Sequence, residues 1–306
     1  LQQDYPEFEV VIVNHQSIDD SKYILHAFQQ EFKDKVRVIE IAWNQHMGMG
    51  KKLPLSVGIK GAKHEFLLLT DADCEPASNQ WLKSMTASYL PNTELVLGYG
   101  PYKKAPGMLN RFARFDTVWS AINYLGSARL GFGYMAVGRN FSYKKSLYES
   151  VNGFKSHYSV MSGDDDLFFQ QVSKRKNHNI NIQPDAFCFS ETESTWAGWI
   201  RQKKRHLSAS KHYSVIKKAL LGIYPASLLL MYVSFVILLG NHPLQTLLFS
   251  VFGGVVLIKW LIQSRCFAVL KEKHLAWSIP LMELCYFAVL PVLLVGMNQK
   301  KEHKWR

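Results

Sequence analysis

The chain has 306 residues, 48% of them hydrophobic, with 36 Lys+Arg against 24 Asp+Glu and a formal charge of +12. That length allows one large domain or two medium ones, and a basic balance suits nucleic acid, anionic lipid surfaces or acidic ligands. The location of the charge sets nucleic acid aside as a partner: Lys203, Lys204, Arg205, Lys211, Lys217 and Lys218 gather just ahead of long apolar runs, and no nucleic-acid motif accompanies them. Cys74, Cys188, Cys266 and Cys285 are scattered without CxxC or Cys/His metal spacing, which excludes a disulfide framework and suits a reducing compartment.

The chain starts at Leu1-Gln2-Gln3-Asp4-Tyr5-Pro6 without Met or a signal peptide, which reads as a fragment of a longer protein. Residues 8–13 form a β-rich run that ends at Asn14-His15-Gln16-Ser17. Ser17 or Asp19 then offers a cap to a helix over 21–32, where Ile24, Leu25 and Phe28 fall at helical spacing. A second strand is predicted over 36–41, and the loop from Asn44 to Lys52 follows. Its Gly48-Met49-Gly50-Lys51-Lys52 lacks the hydroxyl residue of a phosphate loop, so it reads as a flexible connector with Lys51 near phosphate. A helix over 53–62 leads to Phe66-Leu67-Leu68-Leu69, four apolar residues between polar ones, as in a short buried strand. Strand and helix alternating in this way predict a parallel α/β sheet, whose ligands sit at the carboxyl ends of the strands.

That edge carries Asp71-Ala72-Asp73. Two carboxylates one residue apart are hard oxygen ligands for Mg²⁺ or Mn²⁺, with a diphosphate completing the shell. They equally suit an acidic turn ahead of the next helix. Further on, a helix is predicted over 81–90, a strand over 95–98, a mixed aromatic and basic helix over 109–125 and a helix from 146. Ser162-Gly163-Asp164-Asp165-Asp166-Leu167 forms a second acidic cluster. Three adjacent carboxylates repel one another unless solvated, metal-bound or protonated, and a helix N-terminus also favours them. Strands are expected over 180–183 and 186–190. Residues 196–211 read as an amphipathic helix on the membrane surface, with Lys203 and Lys204 facing head groups.

Three apolar runs follow, over 219–239, 243–262 and 275–297. Each has roughly the 20 residues that a helix needs to cross about 30 Å of hydrocarbon. With the basic cluster ahead of them, they predict an integral membrane protein whose preceding domain faces the cytoplasm. Pro280 and Pro291 interrupt the third run, so two crossings plus an interfacial segment, which would return the basic tail at Lys300, Lys301, Lys304 and Arg306 to the cytoplasm, stand beside three crossings, which would put it outside.

Taken together, these residues resemble a family 2 glycosyltransferase of GT-A fold. Leu1–Ser17 is similar to the family's LxQxYPxxEVIVVDDxS segment, and residues 63–74 to its strand ending in DxD. Residues 138–154 resemble GxNxxxRRxxFxxxGGF on the acceptor side; Ser162–Leu167 and Gln202–His206 resemble the ED/GDD acid motif and a QxxRW variant. The resemblance covers about residues 1–212 as a nucleotide-sugar glycosyltransferase domain, with 213–306 as a membrane region of two or three hydrophobic helices. It implies a mixed, mostly parallel α/β sheet flanked by helices, an inverting transfer from a UDP- or GDP-sugar, and a lipid-linked or glycan acceptor. Asp73 would then coordinate the divalent cation and Asp71 would hold the ribose or support the metal, with Lys51 and Asn14 on the donor. Aligning Ser-Gly-Asp-Asp assigns the general base to Asp165, the preferred reading, and aligning the Asp166-Leu167 end assigns it to Asp164. Gln202, Arg205, His206 and Asn140 would belong to the acceptor and diphosphate motifs. Three departures stand out: Asn14-His15 replaces an acidic pair, His206 replaces the Trp of QxxRW, and the family's first strand is missing before Leu1. The alternatives are a processive polysaccharide synthase and a non-catalytic, membrane-anchored binding protein.

Overall fold

A computed structural model describes residues 1–42, 50–240, 243 and 245–294. Residues 43–49 of the connector and the basic tail at Lys300, Lys301, Lys304 and Arg306 lie outside the described residues. In order, the first elements are β1 (Val10–His15), α1 (Ser21–Glu31), β2 (Val36–Ile41), α2 (Lys52–Gly61) and β3 (Phe66–Leu69). They are followed by β4 (Glu75–Pro76), α3 (Trp81–Thr86), β5 (Leu95–Gly98), α4 (Met108–Arg129), β6 (Phe141–Lys144) and α5 (Lys145–Ser150). Then come α6 (Asp166–Val172), β7 (His178–Asn181), β8 (Cys188–Phe189), α7 (Trp196–Ser208), α8 (Val215–Leu238), α9 (Gln245–Val269) and α10 (Ile279–Leu294).

The sheet is mixed in direction, and its topology brings the motifs together. β1 and β2 pair in parallel as predicted, with Val10 opposite Val36. β3 instead joins a four-stranded sheet of order β3-β6-β5-β7. Within it β6 runs antiparallel to both neighbours, and β5 is parallel to β7. Leu69 at the end of β3 therefore lies opposite Phe141 at the start of β6. One sheet edge thus receives the Asp71–Asp73 turn leaving β3, the Gly138–Asn140 turn feeding β6, and Tyr99–Tyr102 leaving β5.

The core follows from alternation on this sheet and from a helix covered on two sides. Leu95, Leu97, Phe141 and Tyr143 are fully buried against Phe168 and Phe169 of α6. α4 buries Phe112, Phe115, Val118 and Ala121, and it packs against both β7 and α10. Its mixed aromatic and charged pattern reflects that cover, and two of its charged side chains enter buried ion pairs, Arg114 with Glu272 and Asp116 with Lys203.

α8, α9 and the stretch Lys273–Leu293 are long and apolar enough to cross a membrane. They are not equivalent. The apolar window of α9 has no residue covered by protein, whereas 28% of that of the third segment is buried. α10 packs on α4 and α7 of the preceding domain, where Tyr286 meets Phe112 at 6.4 Å between ring centres. Pro280 does not interrupt this helix. It occupies the first turn, where its missing N–H has no intrahelical acceptor to lose, and the chain ahead of it is a short 3-10 turn, Lys273–Ser278.

Candidate functional site

Asp71 and Asp73 leave β3 through a tight turn closed by the Cys74 amide donating to the Asp71 carbonyl at 3.1 Å. The turn and metal readings of this stretch are therefore compatible, since the turn is what gathers the side chains. One ligand atom each from Asp71, Asp73 and Cys74 lies within 4.8 Å of the others. The Cys74 thiol is held protonated, first by its hydrogen bond to Cys188 and then by burial, so it is no ligand for a hard cation. The two carboxylates remain, and as oxygen donors they fit Mg²⁺ or Mn²⁺. Asp71 is ion-paired with the Lys51 ammonium, while Asp73 is exposed. Burial opposes the charge on Lys51, but Asp71, then Asp164 and Asp165, outweigh it and raise its pKa.

The second acidic cluster starts a helix, and its three carboxylates face three different surroundings. Gly163 precedes it at φ +86, where a Cβ would also stand 2.7 Å from the Leu167 Cγ, so glycine is required. Asp165 caps α6: its Oδ1 accepts the Asp166 N–H at 2.8 Å and its Oδ2 accepts the Gly138 N–H at 2.9 Å. Burial, and then the charge of Asp164, push the Asp165 carboxyl up to about 6. Asp164 turns toward Lys51 and Asp71, and burial raises its pKa too. Asp166 is buried and accepts the Tyr213 hydroxyl at 2.7 Å, and burial, then the charge of Asp165, drive its pKa well above the usual carboxylate range. Tyr213 lies just ahead of α8, so this bond ties the acid cluster to the start of the long apolar helices.

On α7, Gln202, Arg205 and His206 fall at i, i+3 and i+4 and all line the same cavity. Gln202 accepts the Tyr102 hydroxyl at 3.1 Å. Lys203 does not face lipid head groups as expected. Its ammonium pairs with Asp116 of α4, a fully buried carboxylate that demands a counter-charge inside the protein.

Two expected site residues are turned elsewhere. Asn140 is fully buried and outside the cavity: its amide donates to the carbonyls of Tyr99 at 2.8 Å and Ala186 at 2.7 Å, and its oxygen accepts the Trp81 indole at 3.1 Å. It pins the strands together and cannot reach an acceptor. Asn14 is likewise absent from the cavity wall and donates to both carboxylate oxygens of Glu40 on β2, at 3.2 and 3.0 Å. Conversely, Arg139 was missed. Its guanidinium lines the cavity, donates to the Gly100 carbonyl at 3.0 Å and lies 4.9 Å over the Tyr102 ring. Its place inside the Gly138–Asn140 motif was visible, but nothing in the spacing tells which of two neighbours turns outward.

One cavity of about 1280 Å³ is lined by Asp71, Asp73, Asp165 and Arg205 together with Tyr224 of α8 and Leu290 of α10. It therefore runs from both acidic clusters to the helices of membrane-spanning length. Such a site can hold a charged donor at one acid pair while a second, apolar-tailed molecule reaches the other.

A sequence profile described as Glycosyl transferase family 2 matches residues 1–151, and one described as Glycosyl transferase family group 2 matches residues 91–297. A search of curated proteins returned no match. Among solved structures, the chain is similar to S. aureus TarS 1–349, with 19% identity over 66% of this chain and 56% of that one and a TM-score of 0.44. It is also similar to the same fragment in complex with UDP-GlcNAc, at 17% identity over 66% and 58% of the two chains and a TM-score of 0.43. The complex of that fragment with UDP gives 19% identity over 67% and 57% of the two chains and a TM-score of 0.43. The chain thus spans little more than half the length of these structures. With the second profile covering more than half of its residues, the chain belongs to the family 2 glycosyltransferases.

Proposed function

We propose that this protein transfers a sugar, with inversion, from a UDP- or GDP-sugar to a hydroxyl of a lipid-linked acceptor that reaches the site from the membrane. Asp73, with Asp71 and Lys51 beside it, would hold the donor diphosphate and a Mg²⁺ or Mn²⁺ ion. When bound, that cation offsets the charge growing on the leaving diphosphate. Arg139 and Arg205 line the same cavity and add fixed positive charge there. Asp165 is the base that takes the proton from the acceptor hydroxyl. A carboxylate titrating near neutrality suits that task, and the two backbone N–H groups on Asp165 aim it while leaving lone pairs on both oxygens. Asp164, turned toward Lys51 and Asp71, belongs with the donor.

The single observation behind the acceptor class is the cavity that joins both acid clusters to α8 and α10. A soluble acceptor would need no wall of membrane helix. The catalytic part, residues 1–212, is taken to face the cytoplasm, a reading supported by Lys211, Lys217 and Lys218 where α8 begins.

A screen of UDP- and GDP-sugars for Mg²⁺-dependent release of nucleoside diphosphate, with and without extracted membrane lipid, tests this directly. Asp73→Ala is expected to lose donor use altogether. Asp165→Asn is expected to bind donor normally while transfer falls on the order of 10³-fold, within the range general-base catalysis supplies. Sugar that partitions only into the aqueous phase would rule out the lipid acceptor, and full activity in both variants would overturn the site.

A further inference from the structure

The two acid clusters are far apart in sequence, yet two consecutive lysines touch both. Lys51 takes Asp71 on the donor side. Lys52, the first residue of α2, turns the opposite way and is only 4% exposed. Its ammonium donates to three backbone carbonyls of one loop: His157 at 2.6 Å, Val160 at 2.6 Å and Ser162 at 3.0 Å. An ammonium has three N–H donors, and here all three are used. The loop they bind ends at Gly163, immediately before Asp164 and Asp165. No side chain of the loop provides these bonds, so without Lys52 three carbonyls lose a charged donor.

We propose that Lys52 is the positioning residue of the acidic loop: it fixes residues 157–162 so that Asp164 and Asp165 stand against the donor held at Asp71 and Asp73. Lys51 and Lys52 together make the start of α2 a yoke between the donor half and the base half of the site. The inference rests on the assignment of the base to this loop. Lys52 touches no substrate group; it acts through the backbone it holds. Binding of the donor at Asp71 and Asp73 does not need it, whereas the alignment of the base does. A misplacement of about 1 Å at a reacting group costs on the order of 10²-fold in rate.

The titratable groups around Lys52 are Asp164 and Asp165 in the loop, His157 beside a bonded carbonyl with His212 behind it, and Lys51 one residue earlier. Burial lowers the Lys52 pKa to about 8, against the pull of Asp164 and Asp165. A neutral amine keeps only two N–H donors, so the hold on the loop weakens as pH rises through that value.

The test uses the full chain in detergent or nanodiscs, with steady-state kinetics on the productive nucleotide sugar. Lys52→Met should lower kcat for transfer by 30- to 100-fold in line with the cost of misalignment, with donor KM within about threefold. Lys52→Arg, which keeps charge and donors, should recover most of kcat and shift the alkaline limb near pH 8 upward. A kcat for Lys52→Met within threefold of wild type overturns the proposal, and so does an equal loss of donor affinity and kcat. If Lys52→Met does not fold, the pH profile of Lys52→Arg decides alone: an unmoved limb overturns the proposal. Asp165→Asn in the same assay separates the two readings. If it retains transfer, the base assignment fails; if it is inactive while Lys52→Met keeps a kcat within threefold of wild type, only the role of Lys52 fails.

Discussion

At the scale of single residues, the three adjacent aspartates become distinguishable only by what each faces. Asp166 accepts the Tyr213 hydroxyl, Asp164 feels the charges of Lys51 and Asp71, and Asp165 is clamped by two N–H groups with its pKa raised to about 6. A base must be ionised to work, and a raised carboxyl pKa is lost as base when pH falls below it. The transfer rate should therefore rise with pH through about 6 and level off until the alkaline limb set by Lys52 near pH 8. Since the charge of Asp164 contributes to that rise, Asp164→Asn should move the acid limb to lower pH. A pH profile of kcat in the two proteins checks this; an unmoved limb would assign the base elsewhere. Asn140 and Arg139 teach the complementary lesson. They are neighbours in one motif, yet one is locked among carbonyls and the other faces the cavity, because the 3-10 turn Gly138–Asn140 sends successive side chains in different directions.

At the scale of elements, α4 and α7 are joined by a charge pair that neither helix could tolerate alone. Asp116 is fully buried and the Lys203 side chain is 18% exposed. Breaking a buried pair by removing one partner typically costs about 3–5 kcal/mol, whereas replacing both costs much less. Lys203→Met should thus lower the midpoint of thermal unfolding markedly, and adding Asp116→Asn should restore most of it. Additive losses in the double variant would mean that the two charges act independently. Element bounds were well legible where sequence pattern and environment coincide: Val36–Ile41, Phe66–Leu69 and Leu95–Gly98 all appear as predicted. β7 and β8 fall earlier and shorter than expected, respectively at His178–Asn181 and Cys188–Phe189. β7 takes its place by pairing with β5, so Leu95 opposite His178 sets its register and local apolar content does not.

At the scale of the whole molecule, the α/β part is joined to the long apolar helices through buried charge. Arg114 of α4 donates through its Nε to Glu272 at 2.9 Å, with both side chains about 5% exposed, and His274 is also in contact. Phe112, Trp199 and Tyr286 pack beside this joint from α4, α7 and α10. The donor half of the site lies on the sheet edge, whereas the apolar wall lies on α8 and α10. Loosening the joint should therefore affect the acceptor more than the donor. Arg114→Met is expected to leave Mg²⁺-dependent hydrolysis of the nucleotide sugar within threefold and to lower transfer to lipid more than tenfold. A parallel loss of both would show that the joint serves folding alone.

Sequence alone determined the class of the protein: the order of its motifs, the strand that presents Asp71 and Asp73, and three helices of membrane-spanning length. These are properties of local pattern, in which apolar run length, turn residues and adjacent carboxylates carry their meaning without a third dimension. Tertiary structure decided the rest. It inserted β6 between β3 and β5, took Lys203 from the lipid to Asp116, withdrew Asn14 and Asn140 from the cavity, and packed α10 against α4 and α7. Each of these depends on which distant group needs a partner, a counter-charge or a cover. A chain of 306 residues states such needs but does not state which neighbour meets them.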